Sequence, residues 1–406
     1  MAPAIRYEQA RALLDDAFAQ VATSDIVPIR DALGRIAAED VKSTIMLPET
    51  NNAAVDGYGV SSAFLAANPD HLFKVVGVAK AGHPLKEAIE DGQAVRLFTG
   101  AIIPKGVDCV MMQEFCAVDG TNVRFPSLMS SGKNSRPAGE NLAIGERVIT
   151  KGCVIGPADI GQAAAAGISS IAVFKPLRIC VISTGDELVD VASSKKKTTG
   201  QIYDSNRPMI AALIEQAGHQ VIDGGIIEDN KDALADAYRR ATQECDVIIS
   251  SGGASGGDED HSQAALADCG AKSLFWRVAI KPGRPVAASI LDGKPVFCLP
   301  GNPVAVYVCT HLFVLPTLHK LASGTFKPLT SLKIKAGFAV KKSPNERAEF
   351  MRVKLTLTND GETVMLPHGR KGAGVLSSLT GADGLAELPY ELGEVPEGQK
   401  LPFIML

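Results

Sequence analysis

Four apolar runs in the middle of the chain each break off into a loop that mixes glycine with charge. They are ICVISTGDEL (179–188), DVIISSGGASGGDED (246–260), RVAIKPGRP (277–285) and PVFCLPGNP (295–303). Short unbroken apolar runs predict strands buried on both faces. Between and after them the apolar period changes to that of helices, over 207–218, 232–244, 262–270 and 304–322, with a further strand near 220–226. The alternation predicts a parallel sheet covered by helices on both faces.

The flanking segments follow other periods. Ala10, Leu13, Leu14, Ala17 and Val21 recur at helical spacing, which predicts an amphipathic helix over 7–22. IVPIRDALGRIAAEDV then offers a strand, a turn ended by Gly34 and another strand. Residues 45–141 alternate short β-like runs with Gly/Pro turns, the pattern of a strand-rich insert. Strands, an Ala-rich helix and a return strand closed by Pro176 fill 142–176. After Gly324 short alternating runs predict a small all-β domain, and there is no close internal repeat.

A chain of 406 residues is too long for one ordinary core, so two to four domains are expected. Hydrophobic content of 46% and charged content of 21% fit a soluble globular protein. A net charge of −4 gives no nucleic-acid footprint. The one basic cluster, Lys195-Lys196-Lys197, reads as a solvated loop. Eight cysteines lie at 109, 116, 153, 180, 245, 269, 298 and 309, none spaced as CxxC. They predict reduced core thiols rather than a disulfide frame or zinc site. With no signal-peptide core and no stretch of membrane-span length, a cytoplasmic protein is expected, without nucleic-acid or membrane partners.

The candidate chemistry sits at the ends of the apolar runs, where open α/β sheets bind ligands. Glycine turns let the backbone approach phosphate, and carboxylates beside them are hard ligands for Mg²⁺. Asp186 and Glu187 follow the first run; an aspartate there is also the usual helix N-cap. Asp258, Glu259 and Asp260 follow the second. Two acidic clusters on one sheet edge repel unless a cation lies between them. Lys281, with Arg277 and Arg284 nearby, supplies charge for an anion, or pairs with those acids as a surface loop. LPGNP (299–303) opens a helix whose first amides can bind an anion, or is a plain proline helix start. Asp56 lies in a glycine-flanked turn, NNAAVDGYGV, where a plain turn aspartate is the default reading.

Taken together, and in order, DALGRIAAEDV, NNAAVDGYGV, FTGAIIPKGVDCVMMQE, GENL, STGDEL, GQIYDSNR, SGGASGGDED, WRVAIKPGRP and LPGNPVAVYV resemble the molybdopterin molybdenumtransferase family (MoeA and the gephyrin E domain) over essentially the whole chain. The resemblance implies a multidomain α/β protein. A three-layer molybdopterin-binding domain with a parallel-rich sheet would span 177–323. A split N-terminal domain would join 7–44 to 142–176, a β-rich lobe would be inserted at 45–141, and a small all-β domain would cover 327–406. It further implies a homodimer that inserts molybdenum from molybdate into adenylylated molybdopterin, releases AMP and uses Mg²⁺. A molybdopterin adenylyltransferase would be a partner.

Carried over position by position, the resemblance puts catalytic roles at Asp56, Glu187, Asp229, Asp260 and Lys281. Of these, Glu187, Asp229 and Asp260 would surround the cation, and Asp56 would reach the cleft from the other subunit. Contacts to the pterin, phosphate or molybdate would come from Thr99, Asn141, Ser183, Thr184, Gly185, Asp186, Ser251, Gly252 and Gly253. Arg277, Pro282, Gly283, Pro300, Gly301, Asn302 and Arg352 would complete that set. Asn141, Arg277, Ala254, Gly256 and Ala373 depart from the usual family residues. Two other readings are a molybdopterin adenylyltransferase and a non-catalytic scaffold of the same fold. The extra lobe and β domain argue against the first. Retention of Glu187, Asp229, Asp260 and Lys281 argues against the second.

Overall fold

The strand Arg178–Thr184 is buried from Ile179 onward, as an unbroken apolar run requires. The computed structural model describes residues 3–193, 196–253, 261–326, 331–341 and 347–406. It sets this strand second in a six-stranded sheet ordered Gln220–Ile227, Arg178–Thr184, Val247–Ser251, Lys294–Leu299, Ala287–Leu291 and Lys272–Phe275. The first four strands run parallel and the last two antiparallel, so the sheet is mixed. Alternation splits each central strand between two apolar layers. Ile179, Val181 and Ile249 pack with Ile210, Ile214 and Phe313 on one face. Cys180, Ile182 and Ile248 pack with Leu234, Tyr238 and Leu266 on the other.

Three expectations need correction. The run RVAIKPGRP is not a strand of this sheet: Ile280–Lys281 pairs in parallel with Ala348–Leu357 of the C-terminal sheet. The run is anchored earlier, where the Arg277 carbonyl accepts from Ile5 and Ala279 donates to the Ile5 carbonyl. The vacant edge is filled by a hairpin, Ala287–Leu291 with Lys294–Leu299, turned by Asp292 and Gly293 at φ 50 and 77. Asp-Gly is the preferred two-residue hairpin connection, a signal the apolar runs overshadow. The first helix stops at Ala17, with Val21 instead in an extended segment bonded to Leu321. Finally, Pro303–Ser323 is long and apolar enough to cross a membrane, but 72% of its apolar window is buried in the core.

The chain divides into two units. One comprises Met1–Asp25, Gly34–Ala38 and Phe174–Leu406, and holds the mixed sheet with Ala10 and Leu14 of the first helix in its core. It also contains a C-terminal sheet that closes on itself through Ala348–Leu357, Thr363–Pro367, Ser331–Ala336, Lys400–Met405 and Gly384–Leu388. The other unit, Ile26–Leu33 and Glu39–Val173, carries a six-stranded sheet centred on Gly57–Val60, Gln93–Leu97 and Phe73–Ala79.

Candidate functional site

The carboxyl ends of the parallel strands bring one set of candidate residues together. Ser183 and Thr184 end one strand, Ser251 ends its neighbour, and the register pairs Ser183 with Ser251. Gly252 follows at φ +98, where an added Cβ would stand 2.2 Å from the Thr184 carbonyl oxygen, so no other residue fits without moving the strand. Gly185 turns the other loop, and the exposed Asp186 and Glu187 follow it. Asp229, beyond Gln220–Ile227, donates its N–H to Asp186 Oδ1 (3.4 Å) and accepts from Thr184 Oγ1 (3.4 Å). Burial first, then the charges of Asp186 and Glu187, raises its carboxyl above the ordinary 3.8 against the opposing pull of His261 and Thr184. Ser183 Oγ is buried without a hydrogen-bond partner. Asp260, the third expected cation ligand, lies outside the described residues, as do Ala254 and Gly256. Among the described residues no three His, Cys, Asp or Glu converge as a metal site.

A second set lines a cleft of about 600 Å³ between the turn after Lys294–Leu299 and the C-terminal sheet. Among the described residues, Lys281, Arg284, Lys341, Arg347, Arg352, Arg370 and Lys371 face it against one carboxylate, Glu349. Such an excess of positive charge suits an oxyanion or phosphate. Arg352 is buried at its base, where Nε donates to Ser378 Oγ (3.1 Å) and Nη2 to the carbonyls of Arg370 (3.2 Å) and Gly372 (3.4 Å). Lys281 is more exposed and pairs with Glu349, its register partner, at 3.2 Å. Pro282, Gly283, Pro300 and Asn302 line the same cleft.

Among the described residues, Lys281 therefore pairs with Glu349 and lines this cleft without Asp186, Glu187 or Asp229. The turn Pro300–Gly301–Asn302 stands between the two arrays: an added Cβ on Gly301 would lie 4.0 Å from Gly252 Cα, while the residues on either side face the cleft. The helix start that this turn opens is partly spent, because the Val304 N–H donates to the Ala373 carbonyl (3.0 Å).

The second unit unites Asp56 and Thr99. The antiparallel register pairs Gly57 with Leu97, which puts the residue before one strand beside the turn after the other. Thr99 donates both its N–H and its Oγ1 hydroxyl to Asp56 Oδ1, each at 2.7 Å. Those bonds, with Arg96 nearby, hold the Asp56 carboxyl below the ordinary carboxylate value. Of two further expected residues, Asn141 donates its N–H to the Leu47 carbonyl beside a β-bridge, and the Arg277 carbonyl accepts from the Ile5 N–H.

Sequence reasoning missed His261, at the start of the helix His261–Asp268, Glu349, in the strand Ala348–Leu357, and the Arg370–Lys371 pair, in a loop without a motif. It also left GQIYDSNR without a role. Asp204 and Arg207 of that segment form a buried ion pair (3.1 Å), and Asn206 donates to Ser251 Oγ (2.9 Å) and the Gly301 carbonyl (2.8 Å).

With this geometry established, the comparisons are specific. Residues 5–167 match the MoeA N-terminal region (domain I and II), 180–320 the probable molybdopterin binding domain, and 333–406 the MoeA C-terminal region (domain IV). A molybdopterin molybdenumtransferase of Haemophilus influenzae is 33% identical over 395 residues, 97% of this chain and 96% of that one. One from Nostoc is 34% identical over 379 residues, covering 91% and 86%. A solved molybdopterin biosynthesis MoeA protein from Pyrococcus horikoshii superposes with a TM-score of 0.84 at 27% identity, over 100% of each chain.

Proposed function

Because the chain belongs to the molybdopterin molybdenumtransferase family, we propose that it inserts molybdenum from molybdate into adenylylated molybdopterin and releases AMP. The enzyme class, a transferase of molybdenum cofactor biosynthesis, rests on near full-length identity to the curated relatives. The finer reading rests on one observation: a strand-end carboxylate array and a cation-lined cleft lie on either side of a single glycine turn. Such a pair suits a substrate with a phosphoanhydride at one end and an oxyanion at the other.

The donors fit a hard divalent cation. Asp229 is destabilised as a carboxylate chiefly by burial and further by Asp186 and Glu187, and a cation between Glu187 and Asp229, with Asp260 as the third ligand expected from sequence, would offset both. Glu187, Asp229 and Asp260 would hold Mg²⁺ there, and the ion would supply charge neutralisation at the phosphate oxygens. Lys281 exchanges Glu349 for a substrate oxygen, a cheap step because exposed ion pairs contribute only about 0–1 kcal/mol. Arg352 is held too firmly to move and serves as a fixed positive wall.

Further parts of the reading are a homodimer in which Asp56 and Thr99 act from the second subunit, a molybdopterin adenylyltransferase as supplier, and a cytoplasmic setting. The free state of all eight cysteines is consistent with a reducing compartment. Reconstitution with adenylylated molybdopterin tests the whole: AMP should appear only when molybdate and Mg²⁺ are both added. Formation of that adenylate in a parallel reaction given molybdopterin and a nucleoside triphosphate would instead assign the chain to the preceding step, and no turnover in either would favour a scaffold.

A further inference from the structure

Asn206 begins the helix Asn206–Gln216 and is 9% exposed. Its backbone is pinned from below. The N–H groups of Asn206 and Arg207 both donate to Asp204 Oδ1 (3.0 and 3.2 Å). Arg207, also buried, binds Asp204 (3.1 Å), Asp190 (2.6 Å) and Asp223. A residue so anchored presents its side chain in one geometry.

That side chain spends both amide protons on two separate segments. Nδ2 donates to Ser251 Oγ at 2.9 Å and to the Gly301 carbonyl at 2.8 Å. Ser251 leads into Gly252 and Gly253 on the carboxylate side. Gly301 is the centre of the turn whose flanks line the cation cleft. Oδ1 is buried with no hydrogen-bond partner, so the polar contribution of the side chain is this double donation. One planar group thereby sets the wall between the two charged arrays.

We infer that Asn206 is a positioning residue for molybdenum insertion, holding the glycine loop and the Pro-Gly-Asn turn at the spacing where both arrays act on one substrate. This rests on the function proposed above. Asn206→Asp keeps the shape but turns an oxygen toward the Gly301 carbonyl, and Asn206→Ala removes both donors. Ser251→Ala deletes one acceptor alone.

The test uses the full-length protein and two readouts. In hydrogen exchange, Asn206→Asp should expose the segments 247–253 and 296–303 together, while Ser251→Ala loosens only the first. In steady-state turnover with adenylylated molybdopterin and molybdate, Asn206→Asp should lower kcat about tenfold or more while the KM for the pterin stays within about threefold. Unchanged exchange in either segment of Asn206→Asp, or a kcat within about twofold of the unaltered protein, overturns the inference. Absence of turnover in the unaltered protein would instead remove the activity reading, and the exchange comparison would still decide whether Asn206 is the clamp.

Discussion

Lys281 and Asp229 illustrate how a neighbour changes what a charge can do. Lys281 rests on Glu349 with more than half of its side chain in solvent, so it is poised to exchange partners rather than locked. Lys281→Ala should raise the KM for molybdate about tenfold while leaving pterin binding nearly unchanged, since the ammonium contributes one charge-assisted contact. An unaltered molybdate response would remove it from the site. Asp229 carries the opposite lesson. Its carboxyl is raised in the folded state, so between the ordinary value of 3.8 and the raised one the folded protein holds more protons than the unfolded chain. Stability from this group falls as pH rises through that window. Cation binding, which needs the carboxylate, weakens on acidification sooner than for an ordinary aspartate. Calorimetric titration with Mg²⁺ should show that pH dependence, and Asp229→Asn should abolish it; an identical profile for both proteins would contradict the assignment.

Among the elements, the parallel strands and their turns do the placing. Gly252 is a tight point of these turns, because the neighbouring strand leaves no room for a side chain. Gly252→Ala should therefore abolish most activity and lower the melting temperature by several degrees, a cost of about 1–3 kcal/mol for strain at positive φ with overpacking. Thermal melting beside turnover checks this, and a variant with the activity and melting point of the unaltered protein would mean that the loop is far more pliant than its packing indicates. The strand Ile280–Lys281 matters for a different reason: by joining the C-terminal sheet it carries Lys281 into the cleft with Arg352.

For the molecule as a whole, acid should be a specific weakness. His219 is buried and His311 half-buried with its Nε2 out of solvent, and their folded values are depressed to about 4, chiefly by burial. A depressed histidine leaves the unfolded chain binding more protons between pH 6.5 and about 4, so stability present above that window is lost as pH falls through it. Each contributes on the order of 3 kcal/mol across the full shift. Denaturant midpoints measured from pH 7 to 4 should drop, and less steeply in His219→Asn, whose Oδ1 can still accept the Leu177 N–H in place of Nδ1. The shared-site proposal is tested by mixing two inactive variants, Asp56→Ala and Asp229→Asn. If each site draws on both subunits, half of the dimers regain one intact site, restoring about a quarter of full activity. No recovery would place each site within one chain.

Much of this was legible beforehand for a physical reason. Unbroken apolar runs read as buried strands, as three of the four are in this sheet, and ordered motifs such as STGDEL and LPGNP tied them to a family. The Asp56–Thr99 pair was likewise implied as two site residues, and the strand register brings them into contact. Other features depend on partners far along the chain. That Lys281 faces Glu349 rather than Asp229, that Ala373 occupies the Val304 amide and that Asn206 spans two loops follow from contacts 45 to 95 residues apart. Local periodicity determines which face of an element is buried. It carries no information on which distant element closes over that face, and here that choice separates one expected charge cluster into two.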